Sequence, residues 1–182
     1  MNIPNVLTLC RILLVPVMVI FVIQGRFCEA LIVFCAAGVT DALDGFLARI
    51  MDQKTVIGAY LDPLADKALV ASSFIVLSVL EAIPDWLTVI VISRDLIILV
   101  GISVLFFMSV SFDIRPLYMS KATTVLQFSA VFGALLSLCS PGRHPEGIFV
   151  TVFWLTAVMT IVSGFVYIAQ GVHLLRRSGK QV

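Results

Sequence analysis

Six apolar stretches, each about as long as a bilayer is thick, take up most of this sequence, with short polar connectors between them. A helix rises about 1.5 Å per residue, so roughly 20 apolar residues cross the hydrocarbon layer. Residues 6–24, 30–50, 59–80, 85–108, 121–139 and 147–170 meet that requirement. Of the 182 residues, 60% are hydrophobic and 13% charged, against roughly a quarter charged in a water-soluble domain. That is too little polar surface to cover a globule in water, so lipid is the expected solvent. Inside lipid the backbone must satisfy its own hydrogen bonds, which selects helices. The expected fold is all-α: a bundle of six transmembrane helices forming one domain over residues 1–182.

The Lys/Arg bias sets the expected orientation. With both termini cytoplasmic, that side receives Arg11, Arg49, Lys54, Arg115, Lys121, Arg176, Arg177 and Lys180, and the other side only Arg26 and Arg143. The N-terminus lacks a basic stretch and Arg11 interrupts its first apolar run, so the first segment reads as part of the mature protein. With no Arg-rich, Ser-rich transit segment, a bacterial cytoplasmic membrane is the expected location. A net charge of +1 without a dense basic run argues against nucleic acid as a partner. Cys10, Cys28, Cys35 and Cys139 form no CxxC pair and read as small hydrophobes in lipid or at helix contacts. The C-terminal stretch from His173 to Lys180 reads as a basic anchor at the membrane surface or as topogenic charge.

The chemistry gathers at the cytoplasmic side of the second and third spans. The second ends Thr40-Asp41-Ala42-Leu43-Asp44-Gly45-Phe46-Leu47-Ala48-Arg49, and the third begins Gly58-Ala59-Tyr60-Leu61-Asp62-Pro63-Leu64-Ala65-Asp66-Lys67. Asp41 and Asp44 are three apart, and Asp62 and Asp66 four apart, so each pair lines one face of its helix. The short connector makes the helices antiparallel neighbours, so both pairs can converge. A carboxylate deep in a bilayer costs about 2.5–3.5 kcal/mol, and less near the interface. Something cationic must offset four of them: Lys67 and Arg49 supply two charges, and an oxygen-only donor set suits hard ions such as Mg²⁺ or Mn²⁺. The alternative is four carboxylates satisfied by Arg, Lys and hydroxyl partners without a ligand. Gly45, Ala48 and Gly58 allow a ligand or a neighbouring backbone to approach closely.

Read together, these residues are Asp41-x2-Asp44-Gly45-x2-Ala48-Arg49-x8-Gly58-x3-Asp62-x3-Asp66, eight positions within 26 residues. The pattern resembles in full the motif of the CDP-alcohol phosphotransferase family. The resemblance covers essentially the whole chain and implies six transmembrane helices, a homodimer and a polar cavity open to the cytoplasm. It also implies that Asp41, Asp44 and Asp62 hold two divalent cations, and that Asp66 completes the site and acts as general base. Gly45, Ala48, Arg49 and Gly58 would hold the cytidine diphosphate part of a CDP-diacylglycerol donor. The reaction so implied transfers a phosphatidyl group to an alcohol and releases CMP.

For the acceptor, the run from Asn2 to Leu13 resembles the start of phosphatidylglycerophosphate synthases and of CDP-dependent cardiolipin synthases, which places Asn5 and Thr8 at the nucleotide pocket. An equal alternative makes them a helix cap followed by an anchoring arginine. Arg94 lies about nine residues, or ~13 Å, inside the fourth span and is expected at the polar cavity, facing an active-site acid or an acceptor phosphate; the alternative is a structural ion pair between helices. Asp95, the next residue, points elsewhere on the helix and reads as a poor partner for it. Arg115 and Lys121 are further acceptor candidates or ordinary anchors. The stretches Ser93-Arg94-Asp95-Leu96-Ile97-Ile98 and Ser120-Lys121-Ala122-Thr123-Thr124 look more like eukaryotic-type cardiolipin synthases. The expected acceptor is therefore of glycerol type, either phosphatidylglycerol or glycerol 3-phosphate. A small ion or proton carrier is the rival reading, since intramembrane carboxylates often mark ion paths. It requires acids spread through the membrane depth, whereas these cluster towards one face. A catalytically inactive accessory subunit is a further alternative.

Overall fold

The computed structural model describes residues 3–50, 56–107, 118–140 and 146–178, with side chains described for 8–41, 65–101, 103, 119–140, 147 and 149–171. These residues form six helices: α1 (Ile3–Ile23), α2 (Phe27–Ile50), α3 (Val56–Val79), α4 (Asp85–Phe107), α5 (Tyr118–Cys139) and α6 (Glu146–Ser178). Among the described residues there is no strand. The helices coincide with the six predicted apolar stretches and extend beyond most of them, α6 by eight residues at its C-terminal end.

Two tight corners fix neighbouring helices antiparallel. At the end of α1 the Arg26 and Gly25 amides bond back to the Phe21 and Val22 carbonyls, with Gly25 at φ 73°. At the end of α3 the Ala82 and Glu81 amides bond to Leu77 and Ser78 in the same way, with Glu81 at φ 57°. Both are paired bonds that satisfy the last carbonyls of a helix, and both need a left-handed residue. Glycine meets that need without strain at the first corner, and a glutamate fills it at the second.

Packing follows from where small and large apolar residues lie. α1 packs on α2 and α3, α5 on α6, α2 and α3, and α4 on α6 and α3. The buried core runs through all six, with Met18, Phe34, Phe74, Leu87, Leu135 and Phe153 among its members. Ala30, Ala37, Ala130, Ala134 and Ala157 are also buried, which lets backbones approach closely as membrane helices do. The exterior is apolar too: Leu13, Ile32, Val79, Val89, Phe132 and Phe165 are exposed, one from each helix. Such a surface is not stable in water. Among the described residues, Met119–Cys139 and Phe149–Gly171 are long and apolar enough to cross a membrane.

One expectation is overturned at the end of the bundle away from the aspartates. Cys28, at the start of α2, and Cys139, at the end of α5, form a disulfide with Cα atoms 4.8 Å apart, so these two are not independent small hydrophobes. Their 111-residue separation carries no local signature, and only the antiparallel packing brings them together. Cys10 and Cys35 are free and exposed. At this same end Trp86 and Trp154 stack with centroids 4.9 Å apart, joining α4 to α6.

Candidate functional site

The predicted acids lie on α2 and α3 at matching heights; among the described residues, rather than packing directly on each other as the short connector predicts, both helices pack on α1. Asp41 stands nine residues before Ile50 in α2, and Asp66 ten residues after Val56 in α3, so each is about 14–15 Å from the same end of the bundle. Asp41 is half-exposed and bonded by Arg11 of α1, whose Nη1 lies 2.6 Å from Asp41 Oδ1. Arg11 itself is completely buried. It is therefore no interfacial anchor: its guanidinium crosses from α1 to hold a carboxylate of the site. Thr8 is buried one turn earlier on α1, at i−3 from Arg11, and so shares its face.

Asp66 is partly buried, and its Oδ1 has no hydrogen-bond partner among the described residues. The charges of Asp41, Arg11, Lys67 and Asp95 all act on it. An orphaned carboxylate oxygen shielded from water is costly, and a second carboxylate within electrostatic range adds to that cost. A hard cation bound by carboxylate oxygens offsets both, so the donors present fit a divalent ion. Asp44 and Asp62 continue the same faces of α2 and α3 in sequence, but their side chains lie outside the described residues. So do those of Asn5, Gly45, Ala48, Arg49 and Gly58, and the whole of Arg115. Among the described residues no three acidic, His or Cys side chains gather into a metal site. Asp41 and Asp66 are the described half of the predicted set.

A second polar cluster joins α3 to α4, α5 and α6. Lys67 Nζ of α3 lies 2.7 Å from both carboxylate oxygens of Asp95 in α4. Asp95 Oδ1 also accepts from Arg94 Nη1 at 2.8 Å. Arg94 Nη2 donates to Ser163 of α6 at 2.6 Å and to Ser120 of α5 at 3.2 Å, and its guanidinium lies 5.5 Å from the Tyr167 ring centre. Gly164 leaves room for the arginine stem, since a Cβ there would lie 3.4 Å from Arg94 Cγ. Arg94 is buried, and it bonds Asp95, so the reading of Asp95 as a poor partner is wrong. The flexible arginine side chain turns back to meet its neighbour, a freedom that helical-wheel geometry ignores. Arg94 Nε is buried without a partner among the described residues. Lys121 is exposed at the start of α5 and forms no ion pair among the described residues.

Between α2 and α5 runs an open groove of about 580 Å³, lined by Phe34, Val39, Val125, Phe128 and Phe132 and reaching Asp41 at the acidic end. It combines an apolar channel, open to the surroundings, with a carboxylate at its head.

The comparisons with known proteins agree with this arrangement. Residues 1–162 match the CDP-alcohol phosphatidyltransferase family. The chain is 35% identical over 181 residues to a Pectobacterium atrosepticum CDP-diacylglycerol–glycerol-3-phosphate 3-phosphatidyltransferase, covering 94% of this chain and 96% of that one. It is 34% identical over 179 residues to a probable phosphatidylglycerophosphate synthase of Mycobacterium tuberculosis, covering 94% of this chain and 82% of that one. It is also 33% identical over 188 residues to the CMP-forming cardiolipin synthase of Rattus norvegicus, covering 93% of this chain but 61% of the rat protein. The human counterpart is matched over 62% of its length, so the chain spans about three fifths of these mammalian relatives. With a match over most of its length, the chain belongs to the CDP-alcohol phosphatidyltransferase family.

Proposed function

We propose that this protein transfers the phosphatidyl group of CDP-diacylglycerol to a glycerol-type alcohol, phosphatidylglycerol or glycerol 3-phosphate, with release of CMP. The observation that carries this reading is the convergence of Asp41 and Asp66, from two helices, on one level of an apolar bundle. One carboxylate oxygen there, Asp66 Oδ1, is buried with no hydrogen-bond partner among the described residues. Asp41, Asp44, Asp62 and Asp66 would hold two divalent cations, Mg²⁺ or Mn²⁺, which when bound neutralise the charge of the pyrophosphate and its leaving group.

The protein's own groups do the rest. Arg11 fixes the rotamer of Asp41 through a 2.6 Å contact, so the carboxylate is held ready before substrate arrives. Asp66 takes the proton from the attacking hydroxyl, a role open to a carboxylate within hydrogen-bond reach. Gly45, Ala48, Arg49 and Gly58 line the nucleotide side together with Asn5 and Thr8. The α2–α5 groove leading to Asp41 fits an acyl chain, so a lipid donor keeps its tail in an apolar channel while its head group meets the acids. Arg94 supplies positive charge on the acceptor side, with Arg115 and Lys121 as further candidates. We place the protein as a six-span homodimer in a bacterial cytoplasmic membrane, with both termini and the acids facing the cytoplasm. The disulfide at the opposite end supports this sidedness, because disulfides persist in oxidising compartments and not in the cytosol.

The test combines purified protein, CDP-diacylglycerol, Mg²⁺ and a panel of alcohol acceptors, with lipid products identified by mass and CMP measured. A glycerol-type product is expected. Absence of CMP release with every acceptor, or ion movement in sealed vesicles without it, would overturn the reading. Asp66→Asn is expected to lower turnover by about 10²–10⁴-fold while CDP-lipid and metal binding remain. Near-parental turnover would remove Asp66 from the role of base.

A further inference from the structure

Lys67 follows Asp66 directly, and its charge acts on that carboxylate, yet its ammonium is not bound there. Both oxygens of Asp95 lie 2.7 Å from Lys67 Nζ, while Asp66 Oδ1 stays buried with no hydrogen-bond partner among the described residues. A long cationic side chain can reach the carboxylate beside it in sequence, as Arg94 reaches Asp95, and a charge-assisted hydrogen bond there would be strong. Here a carboxylate on another helix has taken the ammonium instead. Asp95 is itself held in place: Arg94 bonds its Oδ1, and Arg94 is anchored on Ser120 and Ser163. Its side chain is only 17% exposed, so water competes weakly for the lysine.

We propose that Asp95 is a positioning residue which holds the Lys67 ammonium away from the aspartates of α2 and α3, keeping their oxygens open to divalent cations. The inference rests on the metal-dependent reading of those aspartates and adds a role outside them. Without Asp95, Lys67 becomes a tethered competitor for the same oxygens. A single positive charge in the site weakens the electrostatic gain from a divalent ion, and Arg94 cannot replace Asp95 because it carries the wrong sign.

A double-mutant cycle tests this, with Mn²⁺ binding to detergent-purified protein read by electron paramagnetic resonance and phosphatidyl transfer measured alongside. Asp95→Asn is expected to raise the Mn²⁺ midpoint about tenfold, with much of the turnover recovered at saturating metal. Lys67→Met is expected to shift the midpoint by less than about twofold while Asp95 is present, and to restore it to near the parental value in the Asp95→Asn background. A general effect of removing a positive charge gives the same shift in both backgrounds, and a purely structural role gives no restoration. Either result, or an unchanged midpoint in Asp95→Asn, overturns the proposal. If Asp95→Asn does not yield folded protein, Asp95→Ser replaces it in the same cycle with the same expectations. If the parent protein itself neither binds Mn²⁺ nor releases CMP, it is the underlying reading of the aspartates that fails.

Discussion

Arg11 shows how much a single buried charge can organise. In sequence it sits near the start of an apolar run, where arginines commonly reach back to the interface. In the bundle it is wholly buried, with Asp41 as its partner. Removing a buried arginine strands the carboxylate and leaves a cavity, but Asp41 is 46% exposed, so water softens the loss. Arg11→Met is expected to cost about 1–2 kcal/mol, read as a lower melting temperature in detergent, with Arg11→Lys recovering part of it. An unchanged melting temperature in Arg11→Met would mean that the contact holds nothing together. The acidic motif was legible in sequence because helical spacing puts each pair on one face, and Asp41 and Asp66 are the two of its members that the described residues place. Arg11 was not, because its role depends on which helix lies opposite it. The one available clue was that Thr8 and Arg11 stand three apart on a single face of an otherwise apolar helix.

Among the elements, the helices themselves were predictable and their ends less so. Hydropathy locates the part of a helix that lies in lipid, whereas the backbone ladder continues wherever the next residues tolerate it. α6 accordingly continues to Ser178, beyond the apolar stretch expected to stop at 170. The corner after α3 has no glycine to announce it. Glu81 takes the left-handed conformation at φ 57°, which costs a non-glycine residue about 1–2 kcal/mol. Glu81→Gly should relieve part of that strain and stabilise the protein by about 0.5–1 kcal/mol. Thermal unfolding in detergent reads the change, and a lower melting temperature would show that the glutamate side chain contributes more than its backbone strain removes.

The whole molecule has two chemically different ends. One carries Asp41, Asp66 and the Lys67–Asp95–Arg94 cluster, and the other carries the Cys28–Cys139 link and the stacked tryptophans. Loss of the disulfide through paired Cys28→Ser and Cys139→Ser substitutions should lower stability by about 2–4 kcal/mol, because it closes a long loop between α2 and α5. Sidedness is testable with the same cysteines in a Cys10→Ser, Cys35→Ser background. A membrane-impermeant maleimide should label intact cells only after phosphine reduction. Labelling that requires broken membranes would place this end, and not the aspartates, in the cytoplasm.

The sequence by itself determined the helical class, the six helices of the described residues and the acidic motif, because hydropathy and helical periodicity are local and read within one segment. Only the tertiary structure decided the pairings. These include Arg11 with Asp41, Lys67 with Asp95, Arg94 with Ser120 and Ser163, and Cys28 with Cys139. Each joins residues from different helices, and no period along the chain encodes which helix packs against which, or at what height.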